Sequence, residues 1–353
     1  MDEIKLPFIY KNAGLPNNKA LIRDANAAAS RIFNKLTSAG FNAPIMDNNY
    51  RERYYIPHLS TLQTKLRNCT YHVLWALERT HKPLKDVSLV DHGAGLGLIG
   101  LLAKEMGVGT VIYNDIDPLF LEAAKGIAHV AKAESDYYIL GDVDKLINDL
   151  GGLNIDSLVS FDVLEHIYDL DEFFTKICTS PCAPQVLFMS SGANMFCPRY
   201  IRGVIPIHRA HELIYASKRM KIIKDQSIDI TDSEAQLLCS KTRMLVRNEV
   251  EIVVKNYLKD RKIILPKKNG VNSHDPFCSN TVDPETGWWA EHLFNPYSLT
   301  KTLRKLDFYS KIKAGYYGRH RGVLNFPIRL LWAPFALTIS AFYTVHAEKS
   351  KKV

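Results

Sequence analysis

The sequence predicts an α/β protein built on a doubly wound, mostly parallel sheet. Two observations carry that prediction. From residue 87 onward, short apolar runs alternate with helical stretches five times within about a hundred residues. The first of these runs also ends in an acid and a glycine-rich stretch, the punctuation of a strand that turns directly into a helix. Such alternation produces parallel neighbours joined by right-handed helical crossovers.

Two helices precede the alternation. Leu21, Ile22, Ala25, Ala28, Ala29, Ile32, Phe33 and Leu36 recur at helical spacing, with Gly40 as a stop. Leu59, Leu62, Leu66, Cys69, Val73, Leu74 and Leu77 repeat the pattern. Between them, Tyr50, Arg51, Arg53, Tyr54 and Tyr55 form an aromatic and basic cluster. Strands are then expected over 87–90, 110–113, 137–140, 157–160 and 186–189. Pro118 suits the first turn of the helix after the second strand. After Ser191 the alternation lapses. Residues 199–292 read as a largely helical insertion, with a capping box at Thr231-Asp232-Ser233-Glu234 opening a helix expected to run to about Lys259. A helix carrying Leu299, Leu303 and Leu306 and an extended run over 308–312 follow. The organisation is therefore a helical extension (1–80), a core (81–198), the insertion (199–292) and a return to the core (293–353).

Apolar residues make up 46% and charged residues 23% of the 353-residue chain, a globular balance that excludes a wholly disordered chain and a multi-span membrane protein. The net charge of +8 is unevenly spread. Residues 199–268 carry 16 basic against 8 acidic side chains, and residues 301–353 carry 11 against 2. An acidic body thus bears two basic segments, which points either to an anionic partner or to a solvated basic surface. The six cysteines form no CxxC pair and have no partnering histidine run, so they are expected to be reduced thiols, and no metal site is expected. The first ten residues lack the basic-then-apolar pattern of a signal peptide, and a cytoplasmic protein is expected.

The chemistry concentrates in Leu89-Val90-Asp91-His92-Gly93-Ala94-Gly95-Leu96-Gly97. Glycines let a ligand approach the backbone, and the following helix offers free N–H groups. An acid before the loop suits a ligand bearing an ammonium group. The next strand ends in Asn114-Asp115-Ile116-Asp117, where a carboxylate can accept both hydroxyls of a ribose. Gly95, Gly97 and Gly100 also spell a dinucleotide fingerprint, with Asp115 twenty residues beyond Gly95. An NAD(P)-dependent oxidoreductase is therefore the alternative reading. Against it, Asp91 would repel a pyrophosphate, and the fourth strand runs into Asp162-Val163-Leu164-Glu165-His166, which that fingerprint does not require.

Together these segments resemble the class I S-adenosylmethionine-dependent methyltransferases. Residues 91–97 are similar to the family's first motif, and Asp115-Ile116-Asp117-Pro118 to its second-strand acid. Gly141-Asp142-Val143 resembles the adenine-holding element. Residues 162–166 resemble the branch that includes ubiquinone- and menaquinone-type and glycan or lipid methyltransferases. Residues 291–308 and 341–349 resemble that branch's closing segments, although Asp307 stands where the family often has glycine. The resemblance covers roughly residues 86–190 and 291–349. It implies a Rossmann-like, seven-stranded sheet and methyl transfer from S-adenosylmethionine. It implies Asp91, Gly93, Gly95, Gly97, Asp115, Ile116, Asp142, Val143 and Asp162 as cofactor-binding residues.

His166, just past a strand end, is the candidate catalytic base for a hydroxyl acceptor. Trp288, Trp289 and His292 are candidate acceptor contacts within a turn-rich stretch. Each has a plainer reading: His166 as a pocket-shaping cap, the tryptophans as buried anchors, Asp115 as an N-cap, Asp142 as a turn acid. The sequence does not identify the acceptor: a hydroxyl of a glycan, lipid-linked sugar or quinone-like phenol is one option, oxygen against nitrogen stays open, and the basic insertion suggests an anionic acceptor. A non-catalytic S-adenosylmethionine-binding or membrane-peripheral interaction protein is the third reading. Nucleic acid is not expected, because the basic segments lack a recognition module. Residues 330–345 carry no charge but contain Pro334. A short helix followed by the last strand is expected there, with a peripheral membrane contact as the second expectation.

Overall fold

The computed structural model describes residues 18–38, 56, 60–267, 277–315, 333–340 and 342–350. Seven strands form one sheet in the order β3-β2-β1-β4-β5-β7-β6. They are β1 (Ser88–His92), β2 (Thr110–Asp115), β3 (Tyr137–Leu140), β4 (Ser157–Phe161), β5 (Val186–Ser191), β6 (Phe308–Gly315) and β7 (Phe342–Lys349). The first five are parallel, whereas β7 runs antiparallel to both β5 and β6. All residues of β1 and β5 are buried, as expected of strands covered on both faces. Edge strand β6 instead alternates, with Phe308, Ser310 and Ile312 inward and Tyr309 and Lys311 outward.

One apolar layer packs α1 (Lys19–Ser38), α2 (Leu62–Thr80), α3 (Leu98–Glu105) and α4 (Pro118–Ala131) on the sheet. The other packs α5 (Val143–Leu150), α6 (Leu170–Thr179) and, further along the chain, residues from the Pro296–Lys305 helix. The expected N-terminal helices thus form. Gly40 and the Tyr50–Tyr55 cluster lie outside the described residues. Helix α2 is tied to the sheet by a polar bond in the core. The His72 Nδ1–H donates to the Asn68 carbonyl, and Ser190 Oγ donates to Nε2, each at 2.7 Å. Burial pushes this imidazole down to about 4, so it stays neutral.

The insertion has its own small core, formed by α7 (Pro198–Gln226), α8 (Asp232–Lys241) and α9 (Arg247–Asp260). The capping box at Thr231 and Glu234 is present. The single helix expected to continue to Lys259 is instead broken at residues 242–246. There Leu245 turns into the core, the Tyr168 hydroxyl donates to the Met244 carbonyl, and the Arg247 N–H donates to the Pro284 carbonyl at 2.7 Å. These tertiary bonds outweigh continued helix formation. Asp117, and not Asp115, caps α4, accepting from the Leu119 N–H.

Helices α10 (Pro296–Lys305) and α11 (Ala333–Ile339) lead into β6 and β7, so the described part of the uncharged run is the expected short helix and closing strand. Asp307 adopts φ 62, a left-handed conformation that favours glycine, which accounts for the residue type the resemblance places there. No helix among the described residues is long and apolar enough to cross a membrane. None of the six cysteines is in a disulfide, and all but Cys278 are buried.

The insertion is fastened to residues 277–295 through a buried cation. The Arg219 side chain is fully buried and paired with Glu212. Glu212 also accepts from Thr281 Oγ1 at 2.5 Å. Removing one partner of a buried pair leaves an uncompensated charge. Glu212→Ala is therefore expected to destabilise this unit by about 3–5 kcal/mol, with Glu212→Gln milder. Denaturant unfolding followed by tryptophan fluorescence checks it, since Trp288 and Trp289 lie in the fastened segment.

Candidate active site

The C-terminal ends of the parallel strands gather most of the residues expected to act. After β1, residues 93–97 make a tight loop into α3, with Gly93, Gly95 and Gly97 all at positive φ. Their reasons differ. A side chain on Gly93 would collide with Val163, its Cβ lying 2.4 Å from a Val163 methyl carbon. A Cβ on Gly95 would meet nothing within 4 Å. The loop therefore presents bare backbone to open space at Gly95, the form of a ligand cradle.

Asp115 lies across from it, with both oxygens engaged. Oδ2 accepts from the Gly95 N–H at 2.7 Å, and Oδ1 from the Asp117 N–H at 2.9 Å. Asp91 is buried beneath the loop and accepts from the Gly100 N–H at 3.0 Å. Burial pushes its carboxyl up to about 8, the Gly100 bond opposing. Asp91 thus holds the loop-to-helix turn from below. Beyond β2 and β3, Ile116 and Leu140 are exposed apolar side chains, and Asp142 caps α5 at the Lys145 N–H with Val143 half-buried beside it. Leu140 was not anticipated; an apolar residue ending an edge strand was the available signal. Two exposed apolar groups beside the cradle fit an adenine ring, and the Asp115 carboxylate fits a ribose, so the donor set suits S-adenosylmethionine.

On the other side of the cradle, Asp162 ends β4 at φ 62, its N–H donating to the Ser190 carbonyl. Lys65, in the first turn of α2, lies near enough for the charge of Asp162 to act on it. Burial lowers this lysine's pKa, with Cys69 and Asp162 opposing. Its ammonium has no hydrogen-bond or ion-pair partner among the described residues. Sequence reasoning missed Lys65, because it sits on a helix outside the resembling segments.

Next to Asp162 lies a cluster of carboxyls. Glu165 is fully buried, accepting from Ser191 Oγ at 2.8 Å and the Gly192 N–H at 3.2 Å. Burial first, then Asp162 and Glu291, drives it toward its neutral form. Glu291, itself at φ 60, accepts from the Tyr200 hydroxyl at 2.9 Å. The His166 Nδ1–H donates to the Trp289 carbonyl at 3.1 Å. That leaves Nε2 uncommitted to the backbone, 4.0 Å from Glu291 Oε1.

Of the three expected acceptor contacts, Trp288 is exposed and stacked near His166, with ring centroids 6.1 Å apart. Trp289 and His292 are buried and stacked on each other at 4.1 Å. The Trp289 indole N–H donates to the Tyr168 carbonyl. The pair forms the floor under the mouth and not its lining. Two of the insertion's basic side chains are engaged away from the site. Lys218 pairs with Asp283 at 2.6 Å, and Arg219 is buried on Glu212. Among the described residues, no group of His, Cys, Asp or Glu is arranged to hold a metal ion. A separate hollow, lined by Asn18, Leu21, Leu77, Arg79 and Lys82, lies near the entry to β1, at the wrong end of the sheet for this chemistry.

Residues 90–180 match the family model described as "Methyltransferase domain". Ribosomal protein L11 methyltransferases are 38% identical over short stretches. That of Polynucleobacter necessarius matches over 58 residues, 16% of this chain and 17% of that protein. That of Burkholderia thailandensis matches over 66 residues, 19% and 21%. The chain thus spans about a fifth of the length of these relatives. Among solved structures, a SAM-dependent methyltransferase from Archaeoglobus fulgidus is 14% identical, covering 84% of this chain and all of that one, with a TM-score of 0.39. The plantazolicin methyltransferase BpumL is 10% identical, covering 94% and 100%, with a TM-score of 0.40. The segment 90–180, which carries the glycine loop, Asp115, Asp142 and the turn after β4, is the part of the chain that is similar to a methyltransferase domain.

Proposed function

We propose that this chain transfers a methyl group from S-adenosylmethionine to a hydroxyl-bearing acceptor. The observation that carries the reading is the open cradle at Gly95, closed on one side by Asp115 and continued by Asp162 and Lys65 on the other. When bound, the donor supplies an electrophilic methyl on a sulfonium. In this reading Asp115 accepts the ribose hydroxyls while it keeps the Gly95 N–H. Ile116, Leu140 and Val143 cover the adenine, with Asp142 beside it. Gly93 and Gly97 shape the loop, and Asp91 steadies it. Lys65 faces the amino acid's carboxylate, and Asp162 its ammonium.

The acceptor enters beside His166, Trp288 and Glu291. His166 takes the hydroxyl proton at Nε2, because Nδ1 is committed to the Trp289 carbonyl. Glu291 then lies 4.0 Å from the charged imidazolium and stabilises it. Trp289 and His292 hold the carbonyl and the floor that fix this ring. A glycan, lipid-linked sugar or quinone-like phenol would offer such a hydroxyl. Trp288 supplies an aromatic face for the acceptor ring.

Titration calorimetry is expected to detect S-adenosylmethionine or S-adenosylhomocysteine binding, and Asp115→Ala to weaken it by at least about tenfold. Binding of NADH with none of S-adenosylmethionine would overturn the reading.

Once a hydroxyl acceptor is in hand, His166→Ala is expected to lower kcat by about 100-fold at saturating donor, with donor affinity nearly unchanged. Lost donor affinity with an intact kcat would reassign His166 to pocket structure.

Asp91 generates a pH prediction. Its carboxyl titrates near 8 when folded and near 3.9 when unfolded, so the folded state binds the extra proton between those values. Stability should therefore fall as pH rises from about 4 to about 8. Asp91→Asn, which keeps the acceptor oxygen for Gly100, should flatten that dependence. Melting temperatures of both proteins at pH 5 and pH 8 check it; parallel curves would place the raised pKa elsewhere.

A further inference from the structure

The first five turns of α7 divide into two faces. Val204, His208 and Tyr215 are buried toward the site, where His208 bonds Ser279 and the Glu291 carbonyl. The opposite face carries Pro206, Ile207, Ala210, Leu213 and Ile214, all exposed, and Leu213 is 78% exposed. An aliphatic side chain so exposed, followed directly by a second, is unusual on a water-facing helix. On or beside this face stand Arg199, Arg202 and Arg209. None has an ion-pair or hydrogen-bond partner among the described residues. The one acid in this half of the helix, Glu212, is turned inward on Arg219 and Thr281. Helix α11 packs against α7 and exposes Phe335 and Ile339, with no charge of its own.

We propose that the outer face of α7, with α11 beside it, docks on the headgroup layer of an anionic lipid bilayer. Charge decides between occupants. A second copy of this chain would bring Arg202 and Arg209 against their own kind in a two-fold contact, which repels. An anionic bilayer takes both components at once: the aliphatic side chains enter the acyl boundary while the guanidinium groups stay among the phosphates. Nucleic acid would use the arginines but leave Leu213, Ile214 and Phe335 in water. Docking here leaves the site-facing side of α7, with Tyr200 and His208, free of the membrane. The surface shares no residue with the methyl-donor cradle, so it stands or falls separately from the function proposed above.

The test is co-sedimentation of the full chain with vesicles of phosphatidylcholine alone or containing about one-third phosphatidylglycerol. Anionic vesicles are expected to bind at least about tenfold more tightly, with affinity falling as salt rises. Leu213→Glu with Ile214→Glu should cut that binding at least about tenfold, and Arg202→Glu with Arg209→Glu should do the same at low salt. Leu213→Ser serves as the milder variant if the double one melts early. Donor binding by calorimetry should stay unchanged in all of them. Several outcomes would overturn the proposal: no preference for anionic vesicles, binding indifferent to Leu213 and Ile214, a dimer in solution that Leu213→Glu disperses without vesicle binding, or duplex DNA binding that depends on the arginines alone.

Discussion

Three parallel strands end side by side at the cradle, and their terminal polar groups would be stranded in an apolar layer without the Asn114 amide. This fully buried side chain donates to the Ile139 and Gly141 carbonyls and accepts from the His92 Nδ1–H, joining β1, β2 and β3. Its own carbonyl accepts from the Ala94 N–H, which starts the glycine loop. The neighbours in β2 complete the loop: the Tyr113 hydroxyl donates to the Gly95 carbonyl, and Asp115 takes the Gly95 N–H. Three consecutive residues of one strand thus impose the shape of a loop on another. Buried groups so fully paired resist rearrangement, because any bond given up leaves an unsatisfied partner in low dielectric.

The legible parts of the molecule were those governed by local pattern. Alternating apolar runs and glycines announced the five parallel strands, and the loop after β1 was readable because a strand-to-helix turn needs positive φ at Gly93, Gly95 and Gly97. The break between α8 and α9 was not readable. Nothing in residues 242–246 forbids helix; bonds from Tyr168 and Pro284, distant in sequence, open it. The same distance hid Lys65, Tyr200 and Glu291 as site residues. Their placement beside Asp162 and Glu165 is a product of tertiary packing, for which no spacing rule exists. Adjacent Trp288 and Trp289 look equivalent in the sequence, yet one indole is exposed and the other is sealed between Tyr168 and His292. Only the course of the turn decides which.

Charge is sorted by depth around the mouth. Asp162, Glu165 and Glu291 sit together there, and the buried one is driven toward its neutral form. Several of the insertion's basic side chains are held in internal pairs, Lys218 with Asp283, Arg219 with Glu212, and Arg247 with Glu285. Of the basic side chains without a partner among the described residues, Arg199, Arg202, Arg209 and Lys221 lie along α7, while Lys241, Lys255, Lys259, Lys262 and Lys267 lie on or after α8 and α9. A net charge read from composition therefore said little about what a molecule entering the mouth would meet.

The antiparallel pairing of β7 against β5 has a consequence for the order of assembly. Val186 pairs with Glu348 and Ser191 with Tyr343, so the whole insertion and β6 are synthesised before β5 gains its second neighbour. Until then β5, apolar on both faces, is an open edge able to recruit any strand that passes. Non-local pairing of this kind is slow to form, since the intervening loop must close first. The half of the sheet that carries the cradle can mature while the nascent chain is still growing, whereas β5 remains a hazard for aggregation until its last partner arrives.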